Sequence, residues 1–348
     1  MELKKYLDDL AGRINDNVEN DLRENWVKFL KGNFSGQYFK PVRNKKIPPE
    51  VEWPEVSINE ALEDYDKMAL QQFNGCSELL KNGSGNFMAV RCNYGTSIIP
   101  SLFDVELFIM DEKLDTLPTS KPLSGGKEDV KKLVEKGIPD INKNLGEKVL
   151  AMGEYFQDLI NEYTEFKKHV FLYHPDLQGP MDICEVIWGS SLFLDINDEP
   201  QLVHDFLEII TQTYINFMKA WEEIVPFNDQ YNVHWGLLHQ GNIMLRDDSA
   251  MNFSPEMFNE FIRPYDQRLL NELEGGAIHF CGKGDHYIES LSEMDKVYAI
   301  NMSQPEYNNM ETIYKNTVDK GIKIIGFHQE TAEKAVAGGR DLKGEVQC

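Results

Sequence analysis

The chain has 348 residues, long enough for one large α/β barrel or two ordinary domains. Lys+Arg 35 against Asp+Glu 58 gives a formal net charge of −23, an acidic surface that repels phosphate backbones and anionic membranes, so neither nucleic acid nor membrane is expected as a partner. Cys76, Cys92, Cys184, Cys281 and Cys348 are odd in number and widely scattered, which fits reduced thiols; with no signal-type start and no run of membrane-spanning length, a cytoplasmic location is expected.

Taken in chain order, Leu3 to Leu30 and Ile58 to Leu80 carry helix-period apolar residues among many charges, with Pro41, Pro48, Pro49 and Pro54 marking an extended connection between them. Phe87–Arg91 and Val105–Ile109 read as short strands, with Tyr94 between them, and the polar stretch from Glu112 to Asp129 reads as a long loop. Further strands are expected at Val170–Tyr173, Asn242–Arg246, Ala277–Phe280, Val297–Ile300 and Ile322–Gly326, most of them followed by a helical pattern. The clearest helix starts at Ser254 as N-cap with Pro255 at the first helical position, and Pro264 should kink it. Repeated strand-then-helix units imply parallel strands, and enough of them close into a barrel whose chemistry sits at the C-terminal strand ends.

The run Glu274 to His286 carries the strongest chemical signal. His279 and Cys281 stand two apart on a strand, so both project to one face while Phe280 turns to the other. Gly282 and Gly284 then allow a sharp turn or a close approach to a bound group. Imidazole and thiolate are zinc donors, and a catalytic zinc has three protein ligands, so a third donor is needed. His328, after the last barrel strand, is placed as that donor, with Cys348 as its rival. The residues beyond the other strands supply the remaining candidates. Asp248 and Asp247 are taken as catalytic, the first to orient substrate and the second for proton transfer; Asp176, Gln178, Tyr94, Asn301 and Gln304 are taken as substrate-binding.

The run Ser254 to Tyr265, then His279-Phe280-Cys281-Gly282, then Asn301 to Pro305, resembles the uroporphyrinogen decarboxylase superfamily, which includes zinc-dependent corrinoid methyltransferases. The resemblance spans Phe87 to about Lys343 and implies a distorted (β/α)8 TIM-type barrel over residues 86–348, with residues 1–85 as a helical extension packed on it. The arginine-rich motif by which the decarboxylase branch holds four propionates is missing, and Asp176, Asp247 and Asp248 would line the mouth, so porphyrinogen decarboxylation is not expected. His279 and Cys281 match the methyltransferase branch's zinc pair; its later cysteine is replaced here by Gly326-Phe327-His328. The resemblance implies methyl transfer between a corrinoid, carried on a partner protein, and a small-molecule substrate, with zinc as cofactor. The alternatives are a metal-free lyase on a small carboxylated substrate and a non-catalytic barrel that binds a small molecule or corrinoid.

Overall fold

The structure, a computed structural model, describes residues 2–111, 113–228 and 230–348. Its strands are β1 Tyr38–Phe39, β2 Met88–Val90, β3 Leu107–Phe108, β4 Thr119–Ser120, β5 Val170–Leu172, β6 Tyr231–His234, β7 Leu237–Gln240, β8 Ile243–Arg246, β9 Gly276–Phe280, β10 Val297–Met302, β11 Lys323–Ile324 and β12 Val346–Gln347. Six of them form a parallel sheet in the order β1-β12-β11-β10-β9-β8, and β2 and β5 form a separate parallel pair. The chain is thus α/β with parallel strands and many helices. No helix among the described residues is long and apolar enough to cross a membrane.

Both N-terminal helical stretches are divided by capping residues. Asn15 accepts from the backbone N–H of Asn17 and Val18, so Glu2–Arg13 ends and Asp16–Leu30 begins where a single run of apolar spacing gave no warning. Ser57 and Glu60 form a capping box that starts Ile58–Glu63, and Asp64 caps the following helix, Tyr65–Asn82. The strand expected at Val105–Ile109 forms at Leu107–Phe108, and the polar stretch from Glu112 to Asp129 is not one loop. Leu107–Phe108 pairs antiparallel with Thr119–Ser120, and Lys127 opens a helix; Glu112 lies outside the described residues. Pro264 coincides with a break between Pro255–Phe261 and Arg263–Glu272.

The β6–β7 hairpin has no counterpart in the sequence expectations. Its two turn residues, Trp235 (φ 50) and Gly236 (φ 75), are both left-handed, as a two-residue turn matching strand twist requires. No Asn-Gly or Asp-Gly pair marks it.

Side-chain alternation sorts the central strands onto two layers. Ile243, Leu245, Ile278, Ile300 and Ile324 join the large core shared with the helices. Met244, Ala277, Ala299 and Ile325 join a second cluster with the hairpin residues Tyr231, Val233, Leu237 and Leu238, and with Trp26 and Phe29 of the second helix. Gly276 makes this sheet possible: a Cβ there would stand 1.7 Å from the Ile243 carbonyl oxygen.

Candidate metal centre

Parity and register together decide which polar side chains meet. Across β8, β9 and β10, Arg246 pairs with His279 and His279 with Asn301, so these three share one row on the face that carries Met244, Ala277 and Ala299. Two residues further, Asp248, Cys281 and Ser303 bring a second row to the same face beyond the strand ends.

One donor atom each from Asp248, His279 and Cys281 lies within 4.8 Å of the other two. His279 Nε2 is 3.4 Å from Cys281 Sγ and 3.5 Å from Asp248 Oδ1. Donors bound tetrahedrally at zinc bond lengths stand about 3.4–3.6 Å apart, which both separations from His279 Nε2 match, and three such donors would leave one tetrahedral position open. Asp248 Oδ1 also accepts from the Cys281 backbone N–H at 3.0 Å, which fixes the carboxylate against the turn.

Behind this triad, His279 Nδ1 donates to Asn301 Oδ1 at 2.6 Å, and Asn301 Nδ2 donates to the Ile325 carbonyl at 2.7 Å. The second bond sets the amide's orientation, and the amide in turn leaves Nε2 as the nitrogen that faces the other donors. Burial opposes a charge on His279, but Asp248, Cys281 and Asn301 together raise its pKa to about 9. Burial likewise opposes ionisation of Asp248, yet His279 and Arg246 hold its carboxyl down at about 2. The pair is therefore an imidazolium facing a carboxylate, with a proton on Nε2 at the point where a cation would sit.

The other candidates fall elsewhere. His328, expected as the third donor, does not stand with His279 and Cys281: it is exposed and forms the N-cap of Gln329–Ala337, and the side chain that meets the pair is Asp248. The physical cause is local. β11 is only two residues long, Gly326 turns at φ 65, and Phe327 donates its N–H to Gln347, which carries His328 away. Cys348 follows β12 and bonds through its backbone N–H to Phe39, also outside the triad.

Asp247 lies on the opposite face from Asp248. It is buried with one oxygen unpartnered, and burial, Asp266 and Asp182 raise its pKa well above the carboxylate range. A mouth role in proton transfer is corrected accordingly. Asp176 is engaged by Arg91, by Trp235 Nε1 at 3.0 Å and by His234 Nε2 at 3.2 Å, and against burial the neighbouring His234, Arg91 and Arg246 keep its pKa low. It braces neighbours rather than facing a substrate. Asn301 and Gln304 are also supports: Gln304 Oε1 accepts from the Gly282 N–H at 2.5 Å. Gln178 contacts Asp182 through Nε2 and leaves Oε1 buried without a partner, and the Tyr94 hydroxyl is likewise buried and unpartnered. The carboxylates expected to line the mouth are thus each paired or turned away.

Three participants had no place in the sequence reading. Arg246 lies over the Trp235 ring at 5.3 Å and 3.4 Å from Asp248 Oδ2; Trp235 meets the His279 ring edge-on at 5.0 Å. Arg91 reaches in from the end of β2 to pair with Asp176. Both arginines stand at strand ends, so the topological signal that selected Asp248 also applied to them; Trp235 depends on the unmarked hairpin.

No protein-family model matches the sequence, and no curated protein matches it either. Among solved structures the chain is similar to a methyltransferase from Methanosarcina mazei, with a TM-score of 0.62 and 14% identity, over 94% of this chain and 91% of that one. At that identity the likeness shows the fold.

Proposed function

We propose that the chain is a zinc-dependent methyltransferase that moves a methyl group between a corrinoid, carried on a partner protein, and a small-molecule substrate. The observation that carries this reading is the convergence of Asp248, His279 and Cys281 at the C-terminal ends of two adjacent parallel strands. The fold shared with a methyltransferase supports it. In this reading the six-stranded sheet and the β2–β5 pair are two arcs of a distorted (β/α)8 barrel, with residues 1–85 as its helical extension, and the protein works in the cytoplasm.

Asp248, His279 and Cys281 would hold the zinc, which would supply Lewis acidity toward a substrate thiol or hydroxyl. The chain's own residues do the rest. Asn301 keeps the proton on Nδ1 of His279, so Nε2, which faces Asp248 and Cys281, would be the nitrogen offered to the metal, its own proton passing to solvent. Trp235, with its indole N–H tied to Asp176, walls the site beside His279 and limits water.

Elemental analysis and X-ray absorption of wild type, His279→Ala, Cys281→Ser and Asp248→Asn test the reading. One zinc per chain is expected in the wild type, with loss in each variant. Equal zinc in all four proteins would sink the metal site, and a zinc-free wild type that acts on a small carboxylic acid would favour the lyase. Methyl-corrinoid absorbance should change on adding zinc-loaded wild type and an acceptor.

A further inference from the structure

A cleft of about 300 Å³ opens between the helix Asp16–Leu30 and the N-terminal ends of β2 and β5. Arg91 and Asp176 follow the opposite ends of the same two strands, and it is Asp176 that reaches Trp235 beside His279. Each strand is three residues long, so roughly 10 Å of sheet separates the cleft from the triad's end of the fold.

Arg23 lines the cleft as a cation without a partner. Glu19, one helical turn earlier, would be its usual ion-pair partner. Both Glu19 oxygens are instead held in a buried fork by Arg43, from Nε at 2.7 Å and Nη2 at 2.8 Å. Asp16 is occupied as well, by Lys168 Nζ at 2.7 Å and His169 Nε2 at 2.8 Å. Among the described residues Arg23 is thus left with no ion pair, although the chain carries 58 acidic residues against 35 basic ones.

The floor beside it is aromatic. Phe87 and Phe171 meet edge to face with ring centroids 5.5 Å apart, and Phe171 stays only half-buried although it lies on the face of the second core cluster. An uncovered ring next to an unpaired guanidinium suits a flat apolar body with one negative end. A second ring covers the first, and the planar guanidinium fork matches the two oxygens of a carboxylate. The volume stands at the lower limit for small-molecule clefts, with room for one ring and too little for a nucleotide or a tetrapyrrole.

We propose that this cleft is a second small-molecule site, for a single-ring aromatic carboxylate whose charge meets Arg23 and whose ring lies against Phe171. It stands apart from the metal reading and needs no zinc.

The test is a ligand-observed NMR titration of the whole chain with benzoate and with benzyl alcohol, which share the ring and differ in charge. Wild type should bind benzoate with roughly millimolar affinity, as so few atoms allow, and about fivefold or more tighter than the alcohol. Arg23→Gln, at an exposed helix position, should remove that preference. Phe171→Leu should weaken both ligands about threefold or more, the effect of losing a ring-to-ring contact. Thermal unfolding checks the fold of each variant. No saturable binding of benzoate, equal affinities for the two ligands, or a preference that survives Arg23→Gln overturns the proposal. Chelator treatment should leave the benzoate affinity unchanged; binding that is lost with the metal and indifferent to Arg23 would place the carboxylate at the strand ends and overturn it as well.

Discussion

His279 Nδ1 lies 2.6 Å from Asn301 Oδ1, and Asn301 is itself anchored to the Ile325 carbonyl, so a residue of β10 and the backbone beyond β11 decide which nitrogen of a β9 imidazole is available. Asn301→Ala should therefore weaken zinc binding by about 10- to 100-fold while His279 remains present. Chelator competition measures this. An unchanged zinc affinity would mean that the amide does not set the ring.

Asp248, the third member of the triad, gives a sharper contrast. Asp248→Asn should lower zinc occupancy severely, whereas His328→Ala and Cys348→Ser should leave it at the wild-type level, because neither side chain stands with the triad. Elemental analysis of the three variants reads this directly, and zinc loss on changing His328 would restore the order-based assignment.

Asp266 provides a pH test outside the site. It is fully buried beside Asp247, both its oxygens lack partners, and burial with Asp182 raises its pKa well above the ordinary value. The folded chain keeps this carboxyl protonated at a pH where the unfolded chain ionises it, so its contribution is greatest below the unfolded value of roughly 3.9 and is lost as pH rises towards the folded one. Asp266→Asn removes that penalty. Its unfolding midpoint should exceed that of the wild type at pH 8, with the difference shrinking towards pH 4; a difference independent of pH would show that the carboxyl is ionised in the fold.

Two glycines should respond in opposite directions. Gly276→Ala places a methyl group 1.7 Å from the Ile243 oxygen and must part β8 from β9, with a loss on the order of 3 kcal/mol or more and of the zinc site with it. Gly12→Ala, in an exposed position near the end of the first helix with open space around it, should gain about 0.5–1 kcal/mol. Denaturant unfolding distinguishes them.

The pairing of His279 with Cys281 was legible along the chain, because the i, i+2 relation on a strand holds whatever the strand packs against. The alternating parallel architecture and the break near Pro264 were legible there too. Whatever depends on register and on distance in space was settled by the folding of the strands against one another. Asp247 and Asp248 are adjacent and chemically identical, and the parity of β8 sends one to the helix layer beside Asp266 and the other to His279. His328 follows the last candidate strand in order, but a two-residue β11 and the turn at Gly326 take it to the surface. Asp176 looked like a free acid until Arg91 and Trp235 came to it from β2 and from a hairpin turn with no sequence signature. Local backbone geometry is written in neighbouring residues, whereas the third donor, the support behind His279 and the arginine beside the site each need two strands brought into one register.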